Sequence, residues 1–275
     1  MHQEQRLTGN GEILLMRLLF IRHGDPDYEN DTLTSKGHRE AKLLSDIISD
    51  YNIDDVYQSP LGRAKVTAEY SCNVIGKIPV TKDWLREFPA EIDPNISEEA
   101  RKAYANELIM NEETGKYQKR ILWDVLPSYY MDHPEIFDRY AWRESELIKS
   151  SNMIELYDKA VEEFGKLLDS YGYIKSGTAF KVRENNEKTI AFFCHFGITS
   201  VLVSYLWNVS PFVLWQFGAF APTSVTELVT EEREKGIATF RTLRMGDITH
   251  LRLGGEQPSF SARFCERFEN EDERH

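Results

Sequence analysis

"LLFIRHGDPDYENDTLTSKG", Leu18 to Gly37, opens as an apolar strand and stops on Arg22, His23 and Gly24. A short, continuous apolar run is the pattern of a strand covered on both faces. Successive strand residues point to opposite faces, so Arg22 and His23 can share a pocket only where the chain leaves strand geometry, which Gly24 permits. The segments after this turn decide the fold. "LTSKGHREAKLLSDIIS" sets Ala41, Leu44, Ile47 and Ile48 at helical spacing behind Thr34, a good N-cap residue. "DDVYQSP" reads as a second strand. "LGRAKVTAEYSCNVIG" reads as a second helix, with Ser59 as its cap and Pro60 in its first turn. "IPVTKDWL" reads as a third strand. This alternation predicts an α/β fold: a three-layer α/β/α sandwich around a mainly parallel sheet.

Residues 88–150 break the rhythm with segments rich in Glu, Arg, Tyr and Trp. They are expected to form a helical cap insertion, and a plain structural extension would show the same aromatics at helical spacing. Beyond it, "MIELYDKAVEEFGKLLDSYG" is a long amphipathic helix, "IAFFCH" a strongly apolar strand and "ITSVLVSYLWN" a buried helix. "TSVTELVTEEREKGIATFRTLRMGD" is a hairpin turning at Glu234–Gly236. With no repeats and no low-complexity linker, residues 1–275 are expected to be a single domain, with 1–15 and 254–275 as flexible ends.

The composition narrows the function classes. The 275 residues carry a formal net charge of −12, which disfavours nucleic acid or an anionic membrane as partner. A small anionic substrate remains compatible, because a pocket can be positive while the surface is negative. No apolar run is long enough to cross a bilayer, and the first residues lack the basic-then-apolar pattern of a secretory signal. Met16 is an alternative start. Cys72, Cys194 and Cys265 are odd in number and widely spaced, so a disulfide framework is not expected and a reducing, cytoplasmic setting is. The oligomeric state is left open.

In open parallel sheets, ligands collect beyond the carboxyl ends of the strands. Four groups of residues fall there: Arg22 and His23 after the first strand, Ser59 and Arg63 after the second, Glu87 after the third, and His195 at the end of "IAFFCH". Two arginines and two histidines on one edge suit a phosphoryl group, since guanidinium offers a rigid fork of donors matched to phosphate oxygens. Arg63 also lies in the first turn of its helix, where backbone N–H groups and the helix dipole favour an anion. A neutral imidazole is a competent nucleophile towards phosphorus if its second ring nitrogen holds the proton against an acceptor. Glu87, or in its place Glu91 or Asp93, is a candidate to protonate the leaving alkoxide.

The motifs "LLFIRHG", "LTSKGHREA", "YQSPLGRAKVTA", "LREF", "FFCHFG" and "TSVTEL" span Leu18 to Leu228. In that order they resemble the histidine phosphatase superfamily, the phosphoglycerate mutase-like family. The resemblance implies a metal-independent and cofactor-free phosphomonoester hydrolase acting on a small organic phosphate. It implies His23 as the phosphorylated nucleophile, and Arg22, Arg63 and His195 as holders of the phosphoryl oxygens, with Gly24 and Ser59 beside them. Glu87 is implied as the acid that later activates water, and Thr223 and Ser224 as supporting residues. The sequence departs from the family in "DPDYEN" after "RHG", where Asp25 and Asp27 add negative charge and Glu29 takes the place of a common polar ligand. Phe196 replaces a common glycine. A phosphoglycerate-type phosphomutase is the nearest rival reading, and "DPDYENDTLTSKG" is shorter than the usual mutase signature. A catalytically silent phosphate-binding protein and a metallohydrolase are more distant rivals. In the insertion, Trp123, Tyr129, Tyr130 and Trp142 are candidates to stack on a substrate, and Arg120, Arg139 and Arg143 to meet a second anion.

Overall fold

The central strand, Arg17–Arg22 (β1), is buried along nearly its whole length. The computed structural model describes residues 15–259 and Glu269, so Cys265 and most of the two expected flexible ends lie outside the described residues. By internal packing the chain divides into two compact units. The first comprises residues up to Arg86, Gly165–His195 and the residues from Ala219 onward, and the second comprises Glu87–Phe164 and Phe196–Gly218.

The first unit is built on an eight-stranded sheet. From edge to edge its strands run Tyr173–Ser176, Ala179–Val182, Ile237–Asp247, Val225–Glu234, β1, Thr189–Cys194, Asp55–Gln58 and Val80–Thr81. β1, Thr189–Cys194, Asp55–Gln58 and Val80–Thr81 pair in parallel, as the strand–helix alternation predicts. Val225–Glu234 continues the sheet antiparallel to β1 and forms the expected hairpin with Ile237–Asp247. The helix Ser35–Ile47 (α1) and the helix Gly62–Ile75 (α2) belong to this unit. Leu44 and Ile48 join Ala68, Cys72, Leu19, Ile21, Ala191 and Phe193 in one buried cluster. The other face carries Leu18, Phe20, Ile190 and Phe192, also buried, with Phe20 and Phe192 stacked at 5.1 Å. A core side chain hidden this way contributes roughly 1.5–3 kcal/mol. Both faces of β1 and of Thr189–Cys194 are therefore dry, as the middle of an α/β/α sandwich requires.

Thr34 caps α1 as expected, its hydroxyl accepting from the Gly37 amide at 3.1 Å. Two details differ from the sequence reading. α2 begins at Gly62, so Pro60 lies outside it and Ser59 is not its cap. The capping oxygen comes from Asp31, whose Oδ2 accepts from the Gly62 amide at 2.6 Å. The third strand is only Val80–Thr81. Of the expected flexible C-terminal end, Gly254–Ser259 is described. There Glu256 pairs with Lys36 and Arg39, and the Ser259 hydroxyl donates to Asp25.

The second unit holds the expected insertion together with Phe196–Trp207, a helix buried along most of its length. Its core includes Tyr104, Leu122, Ile136, Trp142 and Phe212, and it contains short helices and two minimal strand pairs.

Gly24 sits at a close backbone approach in the first unit. A Cβ there would lie 2.7 Å from the carbonyl oxygen of Gly37, a backbone atom that cannot swing aside. Gly24→Ala is therefore expected to destabilise the protein by roughly 1–3 kcal/mol, measured by denaturant unfolding.

Candidate active site

β1 ends between two neighbours that hold its last residues in place. The Arg22 amide donates to the Ser224 carbonyl at 3.1 Å, and the His23 amide to the Cys194 carbonyl at 3.0 Å. The Thr223 amide donates to the carbonyls of Arg22 and His23, both at 3.1 Å. His23 is thereby fixed by strands on both sides. Its Nδ1 lies 2.7 Å from its neighbour's carbonyl, Gly24 O. A carbonyl can only accept, so Nδ1 carries the proton and Nε2 keeps the lone pair.

The first unit brings Arg22, His23, Ser59, Arg63 and His195 together. The His23 and His195 rings are 5.0 Å apart between centroids, tilted by 57°. Burial, and then the charges of Arg22 and Arg63, push the His23 pKa well below its ordinary value. Burial is also the largest cause of the same downward shift at His195, followed by His23, Arg63, Arg22 and Arg86. Both imidazoles are neutral at pH 7. Ser59 Oγ is 2.7 Å from His195 Nε2 and accepts from the Leu61 amide at 3.2 Å. Its hydroxyl hydrogen is free to go to Nε2, and in that tautomer the His195 proton sits on Nδ1, a buried atom with no hydrogen-bond partner among the described residues. Arg22 Nη1 donates to the Phe220 carbonyl at 2.5 Å. Arg63 Nη1 meets Asp31 Oδ1 at 2.8 Å, and Arg63 Nε is buried without a partner among the described residues.

Two expected phosphate-side residues are engaged elsewhere. The Gly24 amide donates to Thr67 Oγ1 at 3.0 Å. The Ser59 hydroxyl serves His195. Thr223 is buried and hydrogen-bonded to His250 through Oγ1 at 2.8 Å. Of the acidic residues after "RHG", Asp25 accepts from Thr34 at 2.7 Å, Asp27 pairs with Asn30 at 2.9 Å, and Glu29 is exposed. Asp31 is the site residue that sequence reasoning misses. Its distance from Arg63 in sequence gives no signal, although an acidic residue ahead of an uncapped helix start is a usable one.

Glu87 opens the second unit. Its Oε1 accepts from the Phe88 and Gly197 amides, each at 2.9 Å, and Gly197 lies in the first turn of Phe196–Trp207. A Cβ on Gly197 would meet Trp123 at 2.6 Å and Glu87 Oε1 at 2.7 Å. Trp123 and Glu87 therefore flank one bare backbone position. The rival acids have other work: Glu91 pairs with Lys119 at 2.6 Å, and Asp93 accepts from Asn95 at 2.7 Å and 2.8 Å. Tyr129, Tyr130 and Trp142 are buried core, not stacking surfaces, whereas Trp123 is half-buried. Arg143 pairs with Asp158 and lies over Trp142 and Tyr157, Arg139 donates to Asn208, and Arg120 lies over Tyr104. Among the described residues no group of three or more His, Cys, Asp or Glu side chains is arranged to hold a metal ion. No helix among them is long and apolar enough to cross a membrane.

Residues 18–119 match the model of the histidine phosphatase superfamily (branch 1). No curated protein matches the chain. Among solved structures, it is similar to a phosphoserine phosphatase mutant from Entamoeba histolytica in complex with phosphoserine. That likeness has a TM-score of 0.54 at 17% identity, over 86% of this chain and 99% of the other. It is also similar to a mycobacterial glucosyl-3-phosphoglycerate phosphatase, with a TM-score of 0.51 at 16% identity, over 84% and 98%.

The turn after His23 rests on one more buried group. Glu40 is fully buried in α1, and its Oε2 accepts from the Asp25 amide at 2.8 Å. Burial raises its pKa from 4.5 to about 7. The folded state therefore keeps this proton to a higher pH than the unfolded chain, and the Glu40 contribution to stability falls as pH rises from 4.5 through 7. Glu40→Gln is expected to gain about 2 kcal/mol over wild type at pH 8 and nothing at pH 4, read by denaturant unfolding at both.

Proposed function

We propose that this chain is a member of the histidine phosphatase superfamily and hydrolyses a small phosphomonoester through a phosphohistidine on His23. The observation that carries the reading is the His23 Nδ1–Gly24 O bond, which leaves a neutral Nε2 nucleophile beside two guanidinium groups.

The reaction is built on that geometry. Arg22, Arg63 and the Nδ1–H of His195 take the phosphoryl oxygens. Nε2 of His23 forms a bond to phosphorus as the ester P–O bond breaks. Glu87 gives its proton to the leaving oxygen. In the second step Glu87, now a carboxylate, takes a proton from water. The water oxygen bonds to phosphorus, the P–N bond breaks, and inorganic phosphate leaves with His23 restored. The arginines spread the growing charge over fixed donors, which is where most stabilisation of such a transition state lies.

The two phosphatases of similar fold act on phosphoserine and on glucosyl-3-phosphoglycerate, both phosphomonoesters of small polar molecules. That class is the one we assign here. The short segment after "RHG", without the longer mutase signature, favours water over a second acceptor.

Hydrolysis of an aryl phosphate in the presence of chelator tests this. Wild type should turn over and accumulate an acid-labile phosphoenzyme, and His23→Ala should lose both. Turnover surviving in His23→Ala would overturn the mechanism. Glu87→Gln should slow an alkyl phosphate about 100-fold or more and an aryl phosphate, with its better leaving group, much less. After correction for substrate ionisation, kcat/KM should show no break near pH 6.5, because the His23 pKa lies well below that value.

A further inference from the structure

The anion-binding end of α2 already holds an anion from the chain itself. Asp31 Oδ1 sits 2.8 Å from Arg63 Nη1, and Asp31 Oδ2 accepts from the Gly62 amide at 2.6 Å. These are two of the donors that a phosphoryl group would use at a helix start. The fit is close: a Cβ on Gly62 would overlap the carbonyl oxygen of Asp31. Asp31 itself stands at φ +46, a left-handed conformation that a side chain disfavours and aspartate tolerates. Tyr28 covers Arg63 from a second side, with the guanidinium 5.3 Å from its ring centre. The burial is lopsided. Arg63's side chain is 10% exposed and Asp31's is 45% exposed, so the arginine is fixed and the carboxylate is the member able to leave.

The charges make this matter. Arg22 and Arg63 supply two positive charges, and both imidazoles are held neutral. Asp31 cancels one of the two. A phosphate dianion arriving at Arg63 must displace the carboxylate or share the guanidinium with it at a Coulombic cost.

We infer that Asp31 is a built-in competing anion at the phosphate pocket, a specificity-determining residue that weakens the hold on doubly charged groups and so eases release of inorganic phosphate. This rests on the phosphohydrolase reading for the identity of the pocket. Asp31 touches Arg63 and Gly62 directly, and it acts on the substrate through the donors it occupies.

Asp31→Asn removes the charge and keeps an oxygen able to accept from Gly62. Equilibrium binding of sulfate and perchlorate, tetrahedral anions of two charges and one, is measured by calorimetry in wild type, Asp31→Asn and Arg63→Ala, with orthovanadate as the tighter probe. Asp31→Asn should bind vanadate and sulfate roughly five- to tenfold tighter, with a smaller gain for perchlorate. In turnover, KM should fall more than kcat changes. Equal tightening of sulfate and perchlorate would mean that charge is not what Asp31 discriminates, and would overturn the proposal. Unchanged or weaker binding, while Arg63→Ala abolishes it, would show that Asp31 only orients Arg63 and would overturn the Asp31 role alone. Vanadate binding that Arg63→Ala leaves undisturbed would overturn both the Asp31 role and the pocket reading beneath it. Thermal unfolding of each variant separates these outcomes from a loss of fold.

Discussion

The hydrogen bond from His23 Nδ1 to the Gly24 carbonyl is the constraint on which the candidate chemistry depends. It fixes the tautomer, and with it which ring nitrogen keeps the lone pair. The bond forms between neighbours in sequence, so it needs the chain to turn sharply at one residue. That turn is possible because Gly24 passes against the backbone of Gly37 with no side chain between them. It is rigid because the strands on both sides of β1 reach past its end: Cys194 accepts from the His23 amide and Thr223 donates to the His23 carbonyl. The sheet's hydrogen bonding thus continues one residue beyond the strand, to the backbone of His23.

The electrostatics come from the same placement. At the buried end of β1 an imidazolium would be poorly solvated, and two guanidinium groups nearby add repulsion. Both effects keep His23 neutral, as the proposed nucleophile must be. Each arginine has an oxygen partner, Phe220's carbonyl for Arg22 and Asp31's carboxylate for Arg63. Burial of the histidines and partnering of the arginines are two sides of one solution: guanidinium groups that have oxygen partners and imidazoles that stay neutral.

Much of this is legible in the sequence because it is local. The run Leu18–Ile21, the Thr34 cap and the apolar spacing of α1 involve residues within one or two turns of each other, and the structure has them where the pattern puts them. The strand-end positions of Arg22, His23 and His195 are set by the ends of two apolar runs. A residue whose partner is remote, or whose neighbourhood is crowded, is another matter. Ser59 has the look of a cap because helix starts favour serine, yet the helix begins three residues later and the hydroxyl goes to His195, 136 positions away. Trp142 and Tyr130 have the look of binding surfaces because an aromatic side chain has the same pattern whether it is exposed or packed. The second unit is full of aromatic pairs that bury one another, such as Trp142 on Tyr157 at 5.1 Å.

Asp31 shows why the loop after "RHG" resists reading by position. Counting from the nucleophile points to Glu29, a carboxylate in a place where a ligand is expected, and Glu29 is exposed. The short pairing of Pro26–Asp27 with Thr32–Leu33 turns the intervening residues outward, and the left-handed φ at Asp31 carries its carboxylate to the start of α2. One backbone angle thus decides which acid of an acid-rich turn meets the arginine. The outcome reverses a simple electrostatic reading of the loop. Asp25 and Asp27 spend their charge on Thr34 and Asn30, within the loop or at its edge, and leave the pocket's potential to a single carboxylate. Because that carboxylate is nearly half exposed while its arginine is buried, the positive charge is a fixed part of the fold and its neutralisation is an adjustable one.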